Sequence, residues 1–123
     1  MILFITKKSK EFTIQLLLET LGKELVYRIR LISYEELFRM RSFPVGTYVF
    51  TDLERLAPEE TDNATVIWNT LSKSGKGIRL LNHPARSFRR FELLRHLYAA
   101  GVNDFNVYRL TDSVESLRYP VFV

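Results

Sequence analysis

Cysteine is missing from this 123-residue chain, which excludes disulfides and thiolate metal sites and removes the usual indicator of redox compartment. Histidine is nearly as scarce. His83 and His96 are the two present, and neither has a second ligand at a helical or loop spacing that suggests zinc, so no metal site is expected. Long hydrophobic runs are absent too. The apolar start, Met1 to Thr6, is too short for a signal peptide or a membrane span, and no positively charged segment precedes it. The expected compartment is the cytoplasm, with no membrane partner. Also missing are a Gly-x-Gly-x-x-Gly fingerprint after a strand, a Walker A loop and a Gly-x-Ser-x-Gly elbow, so dinucleotide, P-loop and serine-hydrolase readings have no footing. No internal repeat, low-complexity segment or long linker is found.

What is present is ordinary for a soluble globular protein: 46% hydrophobic and 26% charged residues. The length suits one domain that buries about two-thirds of its unfolded surface. The formal net charge is +4. Its excess gathers in Arg79, Arg86, Arg89, Arg90 and Arg95, with a second group in Lys7, Lys8 and Lys10. Clustered positive charge attracts polyanions, nucleotides or acidic partners, although a solvated helix face is the plainer reading.

Ile2-Leu3-Phe4-Ile5 reads as a strand buried on both faces. A helix follows, with Ser9 as its cap, Phe12, Leu16, Leu17 and Leu21 on one face, and Gly22 at its end. Tyr27, Ile29 and Leu31 alternate with Arg28 and Arg30, which predicts a strand near a sheet edge with one wet face. Ser33 to Glu36 has capping-box spacing and opens a short helix. Phe43 to Gly46 is a turn before a third buried strand, Tyr48 to Phe50. Pro58 begins a helix with Ala64, Ile67, Trp68 and Leu71 as its apolar stripe. Gly75 and Gly77 end that helix, and Ile78 to Leu81 is the fourth strand.

Strands alternating with helices predict a parallel, doubly wound α/β sheet. After it come a helix over 87–100, an extended segment from Phe105 to Leu110, a helical turn capped near Asp112, and a last apolar run, Tyr119 to Val123. That run has no turn after it, and the expectation is a strand broken off in mid-pattern. Residues 103–123 are too apolar to stand uncovered, so they are expected to pair with further chain or with a second copy.

In an open parallel sheet, ligands bind outside the carboxyl ends of the strands. Thr6-Lys7-Lys8, Thr51-Asp52 and Asn82-His83-Pro84 occupy those ends and would line one polar rim. The plainer account is that strand ends are polar because loops are wet. Asp52 is the carboxylate retained as a candidate, because Glu59, Glu60 and Asp62 suit the positive end of a helix. His83 is read either as a ligand contact or as a loop histidine holding backbone. His96 is read as a surface or packed side chain, and Trp68 as core.

Asn82-x-Pro84, then Arg89-Arg90, Leu93-Leu94 and Leu97 on a helix, Ala100-Gly101-Val102, Phe105 to Arg109, and Pro120 to Val123 form an ordered series. The series resembles the junction in ATP-grasp enzymes, such as glutathione synthetase and the glutamate ligases, between the pre-ATP-grasp domain and the ATP-grasp domain. The resemblance implies a Rossmann-like, three-layer parallel sheet over 1–84. A linker helix and the start of a truncated ATP-grasp domain would then occupy 85–123, a short helix-plus-extended appendage.

It further implies the substrate-side domain of an ATP-dependent carboxylate–amine ligase-like protein, not catalytic by itself and with no catalytic residue of its own. Thr51, Asp52, Asn82 and His83 would face a small polar carboxylate substrate, and Lys7, Arg89 and Arg90 would contact phosphate or another anion. No cofactor is assigned to this chain; ATP and magnesium belong to an intact relative, on the remaining ATP-grasp domain. The competing class is a non-catalytic α/β interaction module whose basic helix docks an acidic partner. Thr6-Lys7-Lys8 stands where a receiver domain needs acids, which counts against that variant. Nucleic acid ranks last, for want of a recognised motif or interleaved aromatic platforms.

Overall fold

A computed structural model describes residues 1–75 and 77–109. The chain divides into two compact units, the first Met1–Ser87 and the second beginning at Phe88. In the first, β1 (Ile2–Thr6), β2 (Ile29–Ser33), β3 (Gly46–Phe50) and β4 (Ile78–Leu81) form a four-stranded sheet in the order β2-β1-β3-β4. Every pairing is parallel. Helices α1 (Glu11–Thr20), α2 (Tyr34–Leu37) and α3 (Pro58–Lys73) follow the first three strands, making the unit a mixed α/β fold. Among the described residues no helix is long and apolar enough to cross a membrane.

Register explains the core. Ile5 pairs with Phe50 and Ile32, and Leu3 pairs with Tyr48, so these side chains stand on one face of the sheet. All five are fully buried, together with Tyr34 and Leu37 of α2 and Ala64 and Leu71 of α3. Each large apolar side chain enclosed there stabilises the fold by about 1.5–3 kcal/mol. Ile67 and Trp68 of α3 pack against the same cluster.

The opposite parity is less enclosed. Phe4 is half-buried and Ile2 exposed, so β1 is not buried on both faces as its continuous apolar run suggests. Leu18 is the buried residue of α1 and lies outside the cluster around Leu3 and Ile5. β2 is the edge strand that the arginine alternation predicts, though Tyr27 lies before it and is exposed.

Local signals decide the ends of these elements. Ser33 Oγ accepts the Glu36 backbone N–H at 3.1 Å and caps α2. Pro58 is the first residue of α3, where its missing N–H costs nothing, and Glu60 reaches back to the Ala57 N–H at 2.9 Å. Ser9 does not cap α1. A 3-10 turn over Lys8–Lys10 intervenes, and α1 starts at Glu11 with no side-chain cap. The glycine before β3 is forced by close approach: a Cβ on Gly46 would lie 2.6 Å from the Met1 carbonyl oxygen.

In the second unit, α4 spans Arg90–Ala99, shorter than the helix expected over 87–100, because a 3-10 turn over Pro84–Arg86 precedes it and Arg89 is its cap. Gly101 follows with φ +70. The Phe88 and His96 rings lie 4.3 Å apart, and the Arg109 guanidinium sits over Phe91 at 4.4 Å and pairs with Glu92 at 2.8 Å. Residues 105–109 form no helix or strand. The expectations for Asp112 and for Tyr119 to Val123 fall outside the described residues.

Candidate functional site

The strand order places one location above the others. The connection from β1 leads outward to β2, whereas β3 lies on the other side of β1 and leads away to β4. The strand order therefore reverses between β1 and β3, and the carboxyl ends of these two strands are where a parallel sheet is expected to offer a ligand crevice. Thr6-Lys7 and Thr51-Asp52 end those two strands, so residues 45 positions apart become neighbours by pairing alone.

Asp52 is the hub. One carboxylate oxygen accepts the Thr6 hydroxyl and, at 3.1 Å, the Lys7 backbone N–H. The other faces Arg55 Nε at 3.7 Å. The backbone of Asp52 is left-handed (φ 52, ψ 24), a conformation that Asp and Asn tolerate better than other side-chain-bearing residues. Lys7 Nζ donates to Glu60 Oε1 at 2.6 Å and lies 3.9 Å from Glu35 Oε1. The Lys7 and Asp52 side chains each keep 20% of their surface exposed, so both are sheltered yet reachable. Lys7 retains donor capacity beyond its bond to Glu60, and Asp52 Oδ1 retains acceptor capacity.

The surrounding groups set the electrostatics. Hydrogen bonds from Lys7 and from the Ala57 N–H hold the Glu60 carboxyl below its ordinary range. Burial pushes the Tyr34 hydroxyl above its usual value, helped by the negative charges of Asp52, Glu54 and Glu60. Tyr34 therefore stays a neutral donor, and its hydroxyl donates a hydrogen bond to the Thr51 carbonyl at 2.7 Å. The carboxylates of Glu35, Asp52, Glu54 and Glu60 outnumber the cations Lys7 and Arg55 along this stretch.

The other expected site residues have different surroundings. The Thr51 hydroxyl donates to the Ile5 carbonyl at 2.6 Å and ties β3 to β1. Asn82, left-handed at φ 63, donates from Nδ2 to the Phe50 carbonyl at 3.0 Å and ties the end of β4 to β3. His83 Nδ1 accepts the Ala85 N–H at 3.1 Å, and its ring lies 4.3 Å from that of Trp68. Thr51, Asn82 and His83 thus all hold backbone. Asp52 and Asn82 are the non-glycine residues with positive φ among those described. Arg89 and Arg90 belong to the second unit, at the start of α4. Among the described residues, no group of three or more His, Cys, Asp or Glu is arranged to hold a metal ion.

Glu60 is the residue that sequence reasoning assigned to helix dipole alone. One of its oxygens does cap α3, but the other reaches Lys7 across 53 residues. The signal was available in part: Pro58 at the first helical position puts Glu60 where a capping-box carboxylate turns back toward the helix start, and that start follows β3. No family model matches this chain, and neither does any curated protein or solved structure.

Proposed function

We propose that this chain is the amino-terminal, substrate-side domain of an ATP-grasp carboxylate–amine ligase-like protein, Rossmann-like and three-layered in its first unit and not catalytic by itself. The observation that carries the reading is the exit from the sheet. Asn82 fastens the end of β4 to the Phe50 carbonyl, Pro84 is buried in the next turn, and a second compact unit begins at Phe88. A fastened strand end, a buried proline and a following compact unit support reading Asn82-x-Pro84 as a junction between two domains. This gives Asn82 and His83 a physical task, shaping the junction.

On this reading the substrate meets the crevice between β1 and β3. Asp52 offers an acceptor and Lys7 a donor, and Glu60 positions the Lys7 ammonium. Lys7 is the proposed anion contact of the first unit, and Arg89 and Arg90 are those of the second. ATP and magnesium would be held by the remaining ATP-grasp domain, and no residue described in this chain is assigned to them.

The test is ADP formation by the product of the complete reading frame, screened with small polar carboxylates and amines. Asp52→Asn and Lys7→Met are expected to raise KM for the carboxylate or amine at least about tenfold and to leave KM for ATP unchanged. Turnover that needs no second substrate, or variants that alter ATP affinity alone, would overturn the assignment.

A further inference from the structure

Helix α1 is apolar on more than the side it buries. Leu18 is buried beneath it, yet Phe12 is 73% exposed, Leu16 47%, Leu17 49% and Leu21 84%. At 3.6 residues per turn, Phe12 and Leu16 lie one above the other on the side turned away from Leu18. The comparison within the same unit is instructive: α3, six residues longer, exposes one large apolar side chain, Val66. Phe12 and Leu16 thus form a second apolar stripe, rimmed by Glu19 and Thr20, and exposed apolar area with a polar rim marks a contact surface.

We propose that a second copy of the chain covers this surface, with α1 packed antiparallel on the partner's α1 about a twofold axis. The occupant is chosen by self-complementarity. An axis passing between Phe12 and Leu16 sets Phe12 against the partner's Leu16, and Leu16 against the partner's Phe12, as an isologous interface requires. The same axis brings the basic end of the helix, where the Lys8 side chain is 71% exposed and salt-bridged to Glu11, beside the partner's Glu19. Antiparallel packing also sets the positive end of each helix dipole against the negative end of the other. A lipid surface fits less well, because the carboxylate of Glu19 stands beside the stripe and Lys8 is already paired with Glu11.

The experiment is sedimentation equilibrium of the full chain up to ~100 µM, where a specific dimer of modest affinity is populated. A dimer is expected, and Leu16→Glu should raise its dissociation constant at least about tenfold, the loss typical of a central apolar anchor. Because Leu16 is half-exposed, circular dichroism should show the variant folded. Lys8→Glu alone and Glu19→Lys alone should each weaken the dimer, and the two together should restore it. A monomeric chain at every concentration, a dimer indifferent to Leu16→Glu, a double reversal no stronger than the single ones, or a monomer that binds anionic phosphatidylglycerol vesicles through α1 would each overturn the proposal.

Discussion

Replacing Asp52 tests whether the crevice between β1 and β3 is built as described. Its carboxylate accepts from the Thr6 hydroxyl and the Lys7 N–H, and Thr6 is almost fully buried. Each hydrogen bond to a charged acceptor is worth about 1.5–3 kcal/mol, and the partial exposure of Asp52 argues for the low end, so the pair contributes roughly 3 kcal/mol. A second term comes from the backbone. At φ 52, alanine adds about 1–2 kcal/mol of left-handed strain that glycine avoids and asparagine largely escapes.

Asp52→Ala should therefore destabilise by about 4–5 kcal/mol and Asp52→Gly by about 3. Asp52→Asn, which keeps one accepting oxygen and the tolerated conformation, should cost about 1 kcal/mol. Urea denaturation at neutral pH, with Trp68 fluorescence as the probe, reads all three. The order Asn, Gly, Ala is the essential result. Alanine and glycine variants both within about 0.5 kcal/mol of the parent would refute the reasoning, since surface substitutions away from special features fall in that range.

Three further outcomes follow from particular contacts. Glu60 is held below its ordinary pKa of 4.5, so its contribution is complete above that value and is lost as pH falls through the lower folded value. Glu60→Gln should thus lower the denaturation midpoint at pH 7 and make no difference in strong acid; an equal effect at both would contradict the Lys7 pairing. Asn82→Asp keeps the left-handed backbone but removes the donor to Phe50, whereas Asn82→Gly relaxes the backbone, so Asp should cost about 1–2 kcal/mol and Gly less than 1. Phe4→Ala should cost about 1–3 kcal/mol by chemical denaturation, short of the loss at an enclosed aromatic site, because Phe4 is half-buried; a larger loss would mean that its face of the sheet is covered.

Much of this fold is legible because its strands are short apolar runs, and parallel strands with helices between them leave that pattern. The edge position of β2 is written in the alternation of Arg28 and Arg30 with apolar neighbours. Strand order is not written anywhere locally: whether β3 lands beside β1 or beside β2 depends on the packing of α1 and α2. The crevice follows from that order, so Lys7 with Glu60, and Thr6 with Asp52, cannot be paired from the sequence. Asn82 illustrates the same limit. Its place at a strand end suggests a ligand contact, and only the pairing of β4 with β3 reveals that its amide meets the Phe50 carbonyl. Phe4 misleads for the opposite reason, since a continuous apolar run carries no mark of how fully each face is covered.

The proposed function rests on a division of labour between a substrate-side domain, as which we propose this chain, and a further part that would hold nucleotide. Isothermal titration of magnesium-ATP into the 123-residue chain, and into the product of the complete reading frame, tests it most directly. The proposal predicts no micromolar binding by the 123-residue chain and, where the reading frame continues into an ATP-grasp part, magnesium-dependent binding by that longer product. Micromolar, magnesium-dependent binding to the 123-residue chain, abolished by Lys7→Met, would contradict it, because the nucleotide site would then lie in the crevice assigned to the substrate.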